Sequence, residues 1–314
     1  MVCSRGESLT LHINQMNFTS SNGTGNVVLT SQDNSVSQYG NGTQVVNQNN
    51  SQMNYTSSNG TGNVVVTSQD NSVRQYGNGT QVVNQNNSFQ NTFTGSNSDN
   101  IFTIARGDNY IDGGGGIDLV DLSGSDNTIN LNKRGWQNTG DGRATLRNIE
   151  VIRAGNGDDL IYGSSRNEWL FGQEGNDSID GGAGDDLISG GFSTTREYGN
   201  DVLRGGKGND TVYGHGGNDV IGGGKGADEL FGGDGNDLFV TSVKNGKGRK
   251  NRDVIKDFEL GTDRIIIEGS SKGMYLESSG GDDYLMKGKD VLAVIEATAG
   301  QLSFSQENQN LYII

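Results

Sequence analysis

Carboxylates recur at a regular spacing through the second half of this 314-residue sequence. Between residues 154 and 240 the chain repeats a nine-residue unit that favours glycine at positions one, two and four and an apolar residue at position eight. Position six is acidic in every copy: Asp159, Glu168, Asp177, Asp186, Asp201, Asp210, Asp219, Asp228 and Asp237. Carboxylates stacked in a row repel one another unless cations lie between them, and such hard oxygen ligands suit Ca²⁺ rather than zinc or copper. The pattern therefore predicts a series of calcium sites.

The remaining positions of the unit indicate which elements hold these carboxylates. Glycines permit turns with positive φ, and three residues of strand follow each turn, with one side chain pointing inward. The predicted inward residues are Ile161, Leu170, Ile179, Ile188, Leu203, Val212, Ile221, Leu230 and Phe239. Two units make one coil of 18 residues, so alternate units stack on the same face. We therefore expect one file of Asp159, Asp177, Asp201, Asp219 and Asp237 and another of Glu168, Asp186, Asp210 and Asp228.

This unit resembles the calcium-binding nonapeptide of the RTX (repeats-in-toxin, haemolysin-type) family, which forms a parallel β-helix. The resemblance covers about residues 94–314 and is densest at 152–243, the predicted calcium roll. It implies an all-β fold, a parallel β-roll or β-solenoid with 18-residue coils and a C-terminal β cap, and several bound Ca²⁺ ions. The register breaks once, at a six-residue insertion within 192–198.

Residues 94–151 are predicted to begin the roll with degenerate units and then to form a strand-and-turn insert. Their predicted sixth positions are Asp99, Asp108 and Asp118, and their predicted inward residues are Ile101, Tyr110 and Val120. Trp136 is interpreted as a packing residue. Trp169, beside an inward leucine, is expected to face outward as a contact residue.

Residues 244–314 are predicted to hold a basic loop, a cap and a secretion signal. The loop, 244–252, is either solvated or a contact for the acidic roll of a neighbouring molecule or for an anionic polysaccharide. The next segment resembles the one that caps RTX rolls, which implies that Asp253 and Asp257 close the last calcium positions. The C-terminal strands resemble the uncleaved signal of RTX proteins, which implies export by a type I system.

Residues 15–93 differ in character from the roll and follow a short leader, residues 1–14. They contain two tandem 37-residue copies, rich in Asn, Gln, Ser, Thr, Gly and Val, that differ at three positions. Stacked Asn and Gln side chains form hydrogen-bonded ladders, and the copies loosely resemble curlin repeats. The segment is interpreted as a β-solenoid that pairs with another copy of the chain. A disordered spacer, a passive solenoid extension and a face for ice or glycan stay open as alternatives.

Composition argues against several functional classes. A net charge of −15 disfavours nucleic-acid binding, and the single cysteine, Cys3, forms no internal disulfide framework and is interpreted as a bland thiol. No apolar run is long enough for a membrane helix, and the N-terminus lacks a signal-peptide core. The motifs H-E-x-x-H and G-x-S-x-G are absent, and His12 and His215 are the only histidines. The sequence therefore predicts a protein that is not an enzyme.

Together these features predict a secreted bacterial calcium-binding structural protein, extracellular or at the cell surface. It folds on Ca²⁺ outside the cell and assembles with other copies of itself into a matrix or surface filament of the kind found in biofilms. Its predicted partners are those copies, the type I secretion machinery and anionic polysaccharide, without nucleic acid or membrane insertion. The alternatives are a monomeric calcium-dependent adhesin, a glycan- or ice-binding module, and the accessory RTX module of an enzyme.

Overall fold

The computed structural model describes the strands within residues 9–94 and then residues 95–104, 107–122, 125–140, 142–191, 199–242, 252–269, 272–287, 289–296, 300–307 and 310–313. All regular elements in these ranges are strands. This part of the chain holds no helix of the length and apolarity that crossing a membrane requires. Predictions for Cys3, for the insertion at 192–198 and for the basic loop up to residue 251 lie outside the described residues.

The chain divides into two compact units, Met1–Gly155 and Asn156–Ile314. The strands of the first unit are β1 (Leu9–Ile13), β2 (Phe18–Ser21), β3 (Val27–Ser31), β4 (Val36–Tyr39), β5 (Gln44–Gln48), β6 (Met53–Ser58), β7 (Val64–Ser68), β8 (Asn71–Tyr76), β9 (Gln81–Gln85), β10 (Gln90–Thr94), β11 (Ile101–Ile104), β12 (Gly107–Asp112), β13 (Leu119–Leu122), β14 (Thr128–Asn130), β15 (Gln137–Asn138), β16 (Gly142–Arg147) and β17 (Val151–Asn156). Strand β1 lies inside the predicted leader.

Strands β1 to β13 alternate between two parallel sheets. One sheet has the order β1-β3-β5-β7-β9-β11-β13-β17, and the other runs β2-β4-β6-β8-β10-β12-β16, with β15 antiparallel at its end. Paired residues are about one predicted coil apart: Phe18 pairs with Val36, 18 positions on, and Val36 with Tyr55, 19 positions on. The described strands of the polar repeats therefore stack at the 18- to 19-residue spacing of β-solenoid coils.

The strands of the second unit are β18 (Leu160–Tyr162), β19 (Trp169–Glu174), β20 (Ser178–Ala183), β21 (Leu187–Ser189), β22 (Val202–Lys207), β23 (Thr211–Gly216), β24 (Val220–Lys225), β25 (Glu229–Asp234), β26 (Leu238–Ser242), β27 (Asp253–Ile255), β28 (Arg264–Glu268), β29 (Met274–Ser279), β30 (Asp282–Lys287), β31 (Asp290–Ile295), β32 (Phe304–Glu307) and β33 (Asn310–Ile313). They too alternate between two sheets, β19-β21-β23-β25-β27-β31-β30-β29 and β18-β20-β22-β24-β26-β28-β33-β32.

The core of the second unit lies between these two sheets. All nine predicted inward residues, from Ile161 to Phe239, are at most 2% exposed. Their neighbours on each strand point outward because side chains alternate along a strand, and Trp169 is 46% exposed, as predicted. The apolar eighth position therefore identified the core correctly.

Antiparallel strands end the roll. Strand β31 pairs parallel with β27 and carries the hairpin of β30 and β29, while β33 pairs antiparallel with β28 and carries β32. These strands cover backbone edges that would otherwise be exposed. The fold is the predicted all-β parallel roll with a C-terminal β cap.

Candidate metal centre

The sixth-position carboxylates stand at the junction between each glycine turn and the strand that follows it. All nine are buried, from 0% exposed at Glu168 to 3% at Asp186. In each coil the backbone N–H of one such residue donates to Oδ1 of the next carboxylate in its file, as Asp186 does to Asp210 at 2.9 Å and Asp201 to Asp219 at 2.8 Å. The same bond joins Asp159 to Asp177 and Glu168 to Asp186, each at 2.8 Å. The carboxylates therefore form the two predicted files.

The second carboxylate oxygen of most rungs has no protein donor. In the described part of the chain, Oδ2 is buried and accepts no hydrogen bond in Asp118, Asp177, Asp186, Asp201, Asp210, Asp219 and Asp237. A buried carboxylate oxygen without a donor is costly, so the group must take up a proton or contact a cation. These oxygens fit Ca²⁺, which takes six to eight oxygen ligands.

No group of three or more His, Cys, Asp or Glu side chains is close enough among the described residues to hold a metal by side chains alone. The carboxylate files must therefore share their ions with other oxygens. Backbone carbonyls are usual calcium ligands, and the glycine turns next to each carboxylate contain them. When bound, Ca²⁺ would neutralise the files and hold turn and carboxylate together.

Burial changes the acidity of these groups. Burial is the main cause that raises the pKa of Asp177 to about 8. The hydrogen bond from the backbone N–H of Asp159 lowers this pKa, while the nearby carboxylates of Asp201 and Asp159 raise it. Burial likewise raises the pKa of Asp186, Asp201, Asp210 and Asp219 to about 7. In Asp237 it raises the pKa to about 6. Without a cation, the files therefore take up protons near neutral pH.

The glycines of the unit serve two purposes. Positions two and four adopt left-handed conformations, as at Gly206 (φ 114°) and Gly208 (φ 133°), which supports the prediction for these positions. Position one does not need positive φ, and there the prediction was wrong. A Cβ on Gly172 would lie 2.0 Å from Oδ2 of Asp177, and one on Gly205 would lie 2.3 Å from Oδ2 of Asp210. Glycine at position one makes room for the carboxylate.

The first degenerate units have a different register from the one predicted. Asn100 and Asn109 are fully buried, whereas Asp99 is exposed and Asp108 forms an ion pair with Arg143. The buried apolar residues are likewise Phe102 and Ile111 rather than Ile101 and Tyr110. Phe102 and Ile111, which carry no polar group, take the inward positions, and this register puts an amide at position six. The prediction for Asp99 and Asp108 was therefore wrong by one residue.

Asp118 and Val120 occupy the predicted buried positions. Asp118 accepts the N–H of Asn100 at 2.8 Å through Oδ1, and burial raises its pKa to about 7. Trp136, predicted to pack, is half-buried, and the Arg143 guanidinium lies 5.4 Å from its ring centroid. Asp118 is thus the one predicted carboxylate of residues 94–151 with the geometry of the files.

At the C-terminal end of the roll, Asp253 is 1% exposed and close to Thr241 Oγ1, at 3.4 Å. Both oxygens of Asp257 accept backbone N–H groups, from Gly232 at 2.8 Å and from Gly233 at 3.0 Å. Both carboxylate oxygens of Asp257 are therefore hydrogen-bonded to the backbone of the glycine turn at 232–233. That either residue also binds calcium stays a prediction.

Sequence reasoning missed two features of the site. Asp263 continues the first file, because its Oδ1 accepts the N–H of Asp237 at 2.9 Å; an apolar residue two positions later, Ile265, was the available signal. The fifth position also forms a ladder: Oδ1 of Asn200 accepts the N–H of Asn218 at 2.6 Å, and Oδ1 of Asn218 accepts that of Asn236 at 2.9 Å. Asn or Asp occupies this position in eight of the nine units, which could have indicated it.

A serine and a histidine also meet on the outer face of the roll. His215 Nε2 lies 3.0 Å from Ser189 Oγ, and that hydroxyl donates to Gly191 O at 2.9 Å. Ser189 is 6% exposed, and burial lowers the pKa of His215. Ser189 lies on β21 and His215 on the paired strand β23, so this contact links two neighbouring strands of the roll.

Comparisons with known proteins complete the description of the site. A family model of the RTX calcium-binding nonapeptide repeat matches four segments, 148–165, 162–193, 197–230 and 223–242. No curated protein matches the sequence. Among solved structures, the extracellular lipase LipA from Serratia marcescens is similar at 15% identity and a TM-score of 0.21, over 72% of this chain and 44% of that chain. The chain thus spans less than half the length of that lipase.

Proposed function

We propose that this chain, whose roll consists of RTX calcium-binding nonapeptide repeats, is a secreted bacterial structural protein that folds on Ca²⁺ and assembles with copies of itself. The observation that carries calcium-dependent folding is the set of buried Oδ2 atoms without protein donors. Extracellular calcium modules have dissociation constants of about 10⁻⁴–10⁻³ M. Since the ions hold turns and strands together, their binding free energy becomes folding free energy.

Export fits this scheme. In a cytoplasm poor in calcium, the carboxylates of a folded roll would have to repel one another or take up protons, and this cost keeps the chain unfolded and secretable. Outside the cell, millimolar Ca²⁺ neutralises the files and the roll forms. The C-terminal strands resemble the signal that type I systems read, which supports export by that route and a location outside the cell or on its surface.

Assembly is supported by the ends of the two sheets in the first unit. Among the described strands, β1 pairs only with β3 and β2 pairs only with β4. A strand paired on one side offers a row of backbone donors and acceptors to another chain. Nearly identical coils would let a second copy continue the parallel register, which yields a filament when the contact does not close into a ring.

Electron microscopy of the full chain, refolded in millimolar Ca²⁺, tests this proposal. We expect filaments that dissolve after chelation. Lysines at Thr10 and His12 of β1 should shorten or abolish them, since charge on an edge strand opposes pairing. The matched control is Tyr162→Lys, at an outward position that is 41% exposed. Discrete particles of wild-type protein at all concentrations would overturn self-assembly, while loss of calcium-induced folding would overturn the calcium part.

A second candidate function is binding of an anionic polysaccharide in a trough on the outer face of the sheet that contains β20, β22, β24, β26 and β28. The trough has a volume of about 660 Å³, and Val202, 51% exposed, lies among its lining residues. Lys207 and Lys225, paired on adjacent strands, also line it together with Arg204. These three cations outnumber the two carboxylates of the lining, Asp180 and Glu268, in a chain of net charge −15. Gly222 also lines the trough, and its missing side chain leaves space there. A Cβ added to Gly222 would meet no atom closer than 3.5 Å.

Polygalacturonate, with neutral dextran as the control polymer, tests this second function. Gly222→Val would add side-chain volume to the trough at a position where a Cβ meets no atom closer than 3.5 Å. A Lys207→Ala/Lys225→Ala variant would remove two of its three cations and leave Arg204. We expect both variants to fold on Ca²⁺ and to bind the anionic polymer at least tenfold more weakly. Equal binding by wild type and variants would contradict the trough as the site.

A further inference from the structure

Glu168 differs from the aspartates of its file in having protein donors for both carboxylate oxygens. Its Oε2 accepts the backbone N–H of Ser164 at 3.0 Å, and its Oε1 accepts a short hydrogen bond from the Ser164 hydroxyl. Glu168 is fully buried. The extra methylene of glutamate, compared with aspartate, carries the carboxylate to the residue at position two of its own unit.

The backbone at position two differs in the same way. In seven of the other eight units this residue is left-handed, even where it is not glycine, as at Gln173 (φ 87°) and His215 (φ 79°). The N–H of Gln173 donates to the carbonyl of Gly190 at 2.7 Å, away from its own carboxylate. Ser164 is not left-handed, and its N–H turns to Glu168.

Two other rungs repeat this arrangement. In the nine-residue repeat that contains Asn100, the Ser96 N–H donates to Oδ1 of this buried amide at 2.7 Å. At the end of the first file, Glu259 N–H donates to Oδ2 of Asp263 at 2.8 Å. Neither Ser96 nor Glu259 has a positive φ. Gly191 also lacks a positive φ, yet Oδ2 of Asp201 has no donor, so the hydrogen bond distinguishes these rungs and φ alone does not.

We infer that Glu168 forms a calcium-free rung in which Ser164 supplies the contacts that Ca²⁺ would supply elsewhere. Charge-assisted hydrogen bonds stabilise an ionised carboxylate, so this rung needs no cation. Glu168 is the first residue of the second predicted file. Asp263, whose Oδ2 accepts the backbone N–H of Glu259, is the last residue of the first file. Protein-satisfied carboxylates at Glu168 and Asp263 thus limit how many ions the roll holds. This inference rests on the proposed binding of calcium by the aspartate rungs.

Native mass spectrometry of the full chain refolded in Ca²⁺ counts the bound ions and tests the inference. Glu168→Gln keeps the size of the side chain and removes its charge, and we expect the ion count and the calcium midpoint of folding to stay unchanged. The matched control, Asp186→Asn in the next rung of the same file, should lose one ion. A lost ion in Glu168→Gln as well would overturn the calcium-free rung.

A gain of binding gives the complementary test. The double variant Ser164→Gly/Glu168→Asp restores the residues of the other rungs and should bind one additional ion. A folded double variant with the wild-type count would also overturn the inference, with folding checked by circular dichroism. If neither wild type nor the Asp186→Asn control binds any ion, the proposed calcium function fails instead, so the two failures are distinguishable.

Discussion

At the residue scale, each aspartate of the files uses its two oxygens for different purposes. Oδ1 of Asp210 accepts the N–H of Asp186 at 2.9 Å and so ties one coil to the next. Its Oδ2 has no protein donor and lies against the space that Gly205 leaves open. One side chain therefore combines a structural hydrogen bond with a candidate calcium ligand.

Replacing Asp210 by alanine removes both contributions. The buried N–H of Asp186 would lose its acceptor, which costs about 1–3 kcal/mol, and the calcium count should fall. Isothermal titration calorimetry measures the stoichiometry, and circular dichroism gives the calcium midpoint of folding. The matched control is Asp180→Ala, an outward carboxylate whose nearest cation, Arg204, is 3.9 Å away. Unchanged stoichiometry and midpoint in Asp210→Ala would refute its assignment as a calcium ligand.

The raised pKa values predict how the calcium-free roll responds to pH. Burial raises the pKa of Asp177 from 3.8 to about 8 and that of Asp210 to about 7. The folded state then binds more protons than the unfolded state between about pH 4 and pH 8, so stability falls as pH rises through this window. In chelator, strand content should be greatest near pH 4 and be lost toward pH 8, as circular dichroism would measure.

Calcium addition provides a control for the pH prediction. Since Ca²⁺ binds the ionised carboxylates, it should displace protons at pH 6 and displace almost none at pH 9. A pH-stat titration of unbuffered protein measures the released protons. Strand content that rises with pH in chelator, or proton release that is equal at both pH values, would contradict the pKa assignments.

At the element scale, the nine-residue unit made the fold predictable. Position eight identified the core because a single apolar residue per strand must fill a thin roll. The first units were misplaced because aspartate was given more weight than Phe102, whose buried ring decides the register. The Ser164–Glu168 contact could not be predicted, since it depends on the backbone conformation at position two. The role of Asp263 could not be predicted from the repeat alone, because Asp263 follows the last repeat and joins the first file through the N–H of Asp237.

Two glycines of neighbouring strands allow a matched test of the unit. A Cβ on Gly205 would lie 2.3 Å from Oδ2 of Asp210 and 2.5 Å from Gly223 O, while one on Gly222 would have no contact under 3.5 Å. Gly205→Ala should therefore destabilise the roll by about 1–3 kcal/mol, as overpacking does. Gly222→Ala should be neutral or slightly stabilising. Calcium midpoints of folding measure both, and equal midpoints would disprove the role assigned to position one.

At the scale of the whole molecule, the two units differ in their need for cations. Among the described residues of the first unit, Asp118 is the one buried carboxylate, and Asn100 and Asn109 fill the corresponding positions of other rungs. The Nδ2 of Asn109 donates to the carbonyl of Gly107 at 3.1 Å. A neutral amide thus satisfies a turn carbonyl without an ion. In the second unit, by contrast, every described rung between Asp159 and Asp237 carries a carboxylate.

This difference predicts that chelation affects the two units unequally. In hydrogen exchange with mass spectrometry, peptides from residues 156–242 should lose protection on chelation at pH 8, where their carboxylates ionise and repel. Peptides from residues 95–122 should retain most of theirs, because two of their three rungs, Asn100 and Asn109, are uncharged amides and only Asp118 ionises. Asn100→Asp/Asn109→Asp, which adds two carboxylates to the first unit, should make residues 95–122 calcium-dependent as well. If wild-type protection is lost equally in both segments, the cation requirement belongs to the whole chain as one cooperative unit, and the division by rung chemistry is wrong.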